Sequence, residues 1–166
     1  MLIIAVAVAT AAVIAVLVVA VASRGKPAQR PIALPALPAP QAAGPECRRL
    51  LSTLPRQLGD FPRATLAEPA PPGAAAWRQG GDDPVVLRCG VDPPADFVVG
   101  SPIQVVDAVQ WFPVIDGGRS TWFAVDRPVY VALTLPQNSG PTPIQEVSDA
   151  ITQTMPAVPI RPGPPR

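Results

Sequence analysis

The chain reads as an α+β protein. The predicted order is an N-terminal transmembrane helix, then a small antiparallel sheet of about four strands flanked by an N-terminal and a C-terminal helix, with one disulfide. Three observations predict this. Residues 2–22 are apolar apart from one hydroxyl, Thr10. Between residues 84 and 135, segments rich in β-branched and aromatic residues follow one another at hairpin-length spacing, with helical-period segments on either side. Two cysteines, Cys47 and Cys89, stand in a chain of 166 residues that contains no histidine.

The apolar run comes first. At a rise of 1.5 Å per residue it would span roughly 30 Å, the thickness of a bilayer's hydrocarbon core. Residues 1–23 therefore read as a single-pass signal-anchor. Ala20, Val21 and Ala22 also fit a small-x-small cleavage pattern. A secreted protein released after Ala22 is the alternative. Arg24, Lys26 and Arg30 follow the run, which by the positive-inside rule favours a cytoplasmic domain. The cysteine pair and the proline-rich stretch favour the outside, and that placement is preferred. Because Met1 opens directly on the run, a basic segment upstream of it is expected.

Residues 24–44 form a proline-rich stalk, with polyproline II spacing suited to a semi-rigid spacer. The folding unit is expected over residues 45–158. In its first segment, Pro45 suits an initial helical turn. Cys47, Leu50, Leu51 and Leu54 share one face, and Pro55 ends or kinks the helix. Residues 60–83 read as an irregular excursion with Trp77 as a packing anchor. Strands are expected over residues 84–90, 97–99 and 103–112. Asp116, Gly117 and Gly118 then form a turn, residues 120–125 return as a hairpin partner, and residues 129–135 alternate cleanly. Residues 143–155 close the unit as an amphipathic helix with Ile144, Val147, Ile151 and Met155 on one face. Residues 159–166 hold four prolines and read as a disordered tail.

Composition removes much chemistry. Without histidine there is no Ser-His-Asp, Cys-His or His-metal arrangement, and the lone lysine, Lys26, lies in the stalk. No cofactor, metal site or catalytic residue is expected. Past residue 43 there are ten arginines and twelve acids, a net charge near −2, so nucleic acid is a poor partner. Carboxylates remain: Asp82, Asp83, Asp92, Asp96, Asp107, Asp116 and Asp126 could serve a carboxylate-dependent envelope hydrolase. Most of them adjoin Pro or Gly, where Asp serves in turns.

Cys47 and Cys89 read as a structural disulfide closing a loop of about 43 residues, with two buried thiols as the alternative. The densest functional signal is the stretch 111–122, WFPVIDGGRSTW. Trp111, Asp116, Arg119 and Trp122 form a candidate binding patch at a hairpin tip. The competing reading puts the aromatics in the core and pairs Arg119 with Asp116 or Asp107.

The segments CRRLLSTLP (47–55), PVVLRCGVDPP (84–94), VQWFPV (109–114), GGRSTWFAVDRPVYVALTLP (117–136) and PIQEVSDAI (143–151) are similar to those of an actinobacterial domain-of-unknown-function family. Its members are small membrane-anchored extracytoplasmic proteins. The resemblance covers roughly residues 30–157. It implies a shared fold, recurrence of Cys47 and Cys89, and a place in the cell envelope, but no activity. The expected function is a non-enzymatic binding or scaffold domain, held at the membrane by its N-terminal helix, with an envelope protein or a cell-wall ligand as partner.

Overall fold

Residues 30–165 are described in the structure, a computed structural model. The expected transmembrane helix over residues 1–23 lies outside them. Among the described residues no helix is long and apolar enough to cross a membrane.

Two helices pack on one face of an eight-stranded antiparallel sheet. Helix α1 is Pro45–Thr53 and helix α2 is Thr142–Thr154. The strands are β1 (Gln57–Leu58), β2 (Phe61–Ala64), β3 (Ala74–Trp77), β4 (Val85–Val91), β5 (Gln104–Val106), β6 (Val109–Asp116), β7 (Arg119–Ala124) and β8 (Tyr130–Leu135). Their spatial order is β1-β2-β3-β4-β8-β7-β6-β5. Strand β8 thus returns to the centre and pairs with β4.

The expectation of about four strands is corrected to eight. Strands β2 and β3 fall in the region read as irregular, and β1 lies just before it. Pro62 interrupts β2 and β3 reads AAAW, so neither carries an alternating apolar pattern. Their pairing comes from the ladder itself, with Arg63 opposite Trp77 and Ala76 opposite Val86. The single strand expected over residues 103–112 is two strands joined at Asp107 and Ala108. Both residues have positive φ, 44° and 63°, as a two-residue hairpin turn requires. Asp-Ala is not the usual chemistry for such a turn. It is held from outside instead, by Arg127 Nη2 donating to the Ala108 carbonyl at 2.8 Å and Thr152 Oγ1 to the Asp107 carbonyl at 3.3 Å. Residues 97–99 are not a strand; Val98 makes only an isolated bridge to Gly163.

The helix-facing core is built by alternation. Leu87 and Cys89 of β4, Val131 and Leu133 of β8, and Val109 and Trp111 of β6 meet Leu50, Val147 and Ile151 of the helices. Trp77 is fully buried, and its indole N–H donates to the Pro55 carbonyl at 3.0 Å. The Arg63 guanidinium lies 4.6 Å over its ring. A disulfide joins Cys47 of α1 to Cys89 of β4.

The proline-rich stretch read as a stalk is, in its described part, a strap laid on the opposite face of the sheet. Ile32 donates to the Thr65 carbonyl and accepts from the Ala67 amide, both at 2.9 Å, and its side chain is buried against Ala76 and Val86. Gln41 donates to the Gly90 carbonyl at 3.2 Å. Gly90 sits at a β-bulge with φ of 80°, and a Cβ there would stand 2.3 Å from the Ala42 nitrogen. Only glycine allows the strap to cross so close. The tail is likewise tied down: Val99 donates to the Gly163 carbonyl at 3.0 Å and Gly163 to the Phe97 carbonyl at 2.9 Å. Both segments lack periodicity, and backbone hydrogen bonds with a few buried side chains, Ile32 and Phe97 among them, do the docking.

Among the described residues one ion pair is wholly buried. Arg127 Nη1 lies 2.8 Å from Asp126 Oδ2, with side-chain exposures of 1% and 3%. Asp126 Oδ1 and Arg127 Nε have no hydrogen-bond partner among the described residues. Such a pair is costly to break, because the remaining charge is stranded.

Replacing both cysteines with alanine is expected to lower the unfolding free energy by about 4 kcal/mol, the loop-closure contribution. Urea titration of the two proteins checks this, and a loss under about 1 kcal/mol would contradict the staple's role. Asp126→Asn should cost about 3 kcal/mol or more, and adding Arg127→Met should recover part of that loss. Additive losses in the double variant would show that the two side chains are not coupled.

Candidate functional site

Alternation sends every second side chain of the central strands away from the helices. Registers place these in rows across the open face. Arg88, Ala132, Phe123 and Phe112 form one row on β4, β8, β7 and β6. Val86, Thr134, Thr121 and Val114 form the next. Two coverings lie on this face. On one side Ile32 of the strap packs with Ala76 and Val86; on the other, Phe97 and Ile160 pack with Phe112 and Val125. Phe97 and Phe112 have ring centroids 5.3 Å apart.

Between the two coverings the described residues leave the sheet partly open: Ala132 is buried, whereas Thr121 and Thr134 are half-buried. The small side chains Ala132, Thr121 and Thr134 make a floor ringed by Phe123, Val114, Arg88, Val91 and the strap residues Leu37 and Pro38. The resulting cavity has a volume of about 560 Å³. Thr121 and Thr134 join their hydroxyl oxygens across the strands at 3.0 Å.

Arg88 is the one residue of β4 that is half-buried; the others are buried. Its Nη2 donates to the Pro35 carbonyl at 2.8 Å, and no carboxylate pairs with it among the described residues. Burial lowers its pKa from the ordinary arginine value. Near the other covering, burial raises the Tyr130 pKa, opposed by the charge of Arg161. Asp92 and Asp116 line opposite ends of the cavity, and both are exposed. Val91 stands opposite Tyr130, whereas Arg119 lies one residue past the Ser120–Leu135 pair. This register separates the two acids by roughly 20 Å along the strands. Paired-carboxylate hydrolysis needs about 5–10 Å.

The four side chains read as one patch do not converge. Trp111 is fully buried, its indole N–H donating to Ser148 Oγ at 3.0 Å, while Ser148 donates to the Ile144 carbonyl at 2.7 Å. Trp122 is on the helix-facing side, packed against the core, with its N–H to Ser120 Oγ at 3.0 Å. It lines a second depression with Ile115 and the loop after β8. Asp116 belongs to the open face, and Arg119 reaches the rim of both depressions. The expected partner of Arg119 was Asp116 or Asp107; its ion pair is with Asp83, at 2.8 Å. Sequence reasoning missed Arg88. Its signal was present: a lone charged residue between buried neighbours in PVVLRCG, which alternation alone sends to the face away from the core. Among the described residues no cluster of three or more His, Cys, Asp or Glu could hold a metal.

Fold and site define a disulfide-stapled, two-layer α+β domain with a small cavity on its helix-free sheet face. The chain belongs to the family described as protein of unknown function (DUF3515), whose sequence pattern matches residues 6–160. No curated protein and no solved structure matches it.

Trp111→Phe is expected to cost about 1–3 kcal/mol by stranding the buried Ser148 hydroxyl's partner site. Arg119→Ala should cost less than about 1 kcal/mol, since both partners of its ion pair are more than half exposed. Thermal or urea unfolding of the two variants distinguishes a core tryptophan from a surface arginine; equal costs would undo the assignment.

Proposed function

We propose that this protein is a non-catalytic binding module of the cell envelope, anchored in the membrane through residues 1–23, with its α+β domain outside. The cavity on the open sheet face is its ligand site. The single observation that carries the binding role is that cavity: small side chains at the centre of a sheet face, ringed by larger ones, between two docked segments. A volume of about 560 Å³ is in the range that holds a small ligand. The 21-residue apolar run supports the anchor, and the disulfide supports an oxidising compartment. The resemblance to actinobacterial membrane-anchored proteins points the same way.

A photoreactive side chain placed at Thr121 of the full chain, in intact cells, is expected to capture ligand. The same group at Arg49, on the exposed side of α1, is expected to capture none. The Thr121 adduct should disappear when Ala132→Leu fills the floor. Mass spectrometry of the purified chain reads both outcomes. Equal adducts at the two positions, or none at Thr121, overturn the reading.

A further inference from the structure

Arg88 is an anomaly that packing does not resolve. A guanidinium presents a fork of N–H donors, and here the described protein groups engage it with one carbonyl. It is half-buried between Leu87 and Cys89, both fully buried, on a strand at the centre of the sheet. Burial disfavours its charge, and no carboxylate of the described chain offsets that cost. The other arginine at the cavity, Arg119, is already neutralised by Asp83. Asp92 and Asp116 sit at the exposed ends, where water screens them. The wall of the cavity therefore has one positive charge that no carboxylate of the described residues pairs.

Apart from the Thr121 and Thr134 hydroxyls, the sheet beside Arg88 is apolar. Across the sheet its row continues through Ala132 to Phe123, two strand spacings or about 10 Å away. Ala132 leaves a trough between the cation and the aromatic ring, with Val114 and the strap's Leu37 beside it. A polar ligand would waste these walls, and a purely apolar one would leave Arg88 uncompensated.

We propose that the cavity binds a small amphipathic carboxylate, its anionic head on the Arg88 guanidinium and its apolar body in the Ala132 trough against Phe123. The assignment rests on the binding role above and adds the ligand's class to it. A planar carboxylate meets the guanidinium fork with two parallel hydrogen bonds, which a neutral amide or alcohol cannot do.

The probes are 4-phenylbutyrate and its neutral isostere 4-phenylbutanamide, which span the distance from Arg88 to Phe123. They are titrated at millimolar concentrations into the full chain in lipid nanodiscs, by calorimetry and by chemical shifts of Ala132 and Thr134. The carboxylate is expected to bind at least about tenfold more tightly than the amide. Arg88→Gln should abolish that preference and leave the amide's affinity in place. Ala132→Leu should weaken both probes while the thermal midpoint stays within a few degrees of wild type. Equal affinities, a preference that survives Arg88→Gln, shifts that map elsewhere, or no binding of either probe each overturn the proposal. Should Thr121 capture ligand in cells while neither probe binds, the carboxylate class fails and the binding role stands. Failure at both removes both.

Discussion

The Cys47–Cys89 bond and the strap crossing at Gly90 meet strand β4 from opposite faces at consecutive residues. On the helix side the disulfide fixes α1 to the centre of the sheet. On the other side, the missing Cβ of Gly90 lets the Ala42 backbone lie against the strand. Gly73, just before β3, makes the same approach possible: a Cβ there would stand 2.8 Å from that of Ala42. The chain between residues 42 and 47 thus passes from one face of the sheet to the other across this point. Helix placement, strap placement and the bulge in β4 all follow from it.

The cavity is a by-product of the same constraint. With one face closed by helices, the other is covered, among the described residues, by short irregular segments. The strap covers the β3–β4 side, and the tail with Phe97 covers the β6–β7 side. Neither closes over Thr121 and Thr134, which stay half-buried and with Ala132 keep the floor low. Large aliphatic residues at those positions would have made an ordinary half-exposed sheet surface with no trough.

Legibility in the sequence followed the period of each element. Helices α1 and α2 and strand β8 were readable because Leu50, Val147, Ile151, Val131 and Leu133 repeat at the helical or strand period. The cysteine bridge was readable from the presence of two cysteines and no further ligand residues to claim them. Strands β2 and β3 were not, because FPRA and AAAW owe their extended form to neighbours rather than to propensity. The break at Asp107 and Ala108 was hidden because tertiary hydrogen bonds, not turn chemistry, impose it. Among site residues, the aromatic cluster drew attention to Trp111, which is core. Arg88 was passed over because one charge in an apolar run looks like a solvent-facing strand position, and only the strap above it makes that position half-buried.

The strap has a mechanical consequence. A pull applied upstream of Pro31 would first strip the two hydrogen bonds at Ile32 and the contact at Gln41. Beyond Ala42 the tension would pass through the start of α1 into the disulfide, and from there into β4. Strand β4 is held by β8 along most of its length and by β3 over Val85 to Arg88, so it is anchored at the centre of the sheet and not at an edge. The domain would hold its sheet under tension while losing the Leu37 and Pro38 wall. The shape of the trough would then report the force on the N-terminal segment.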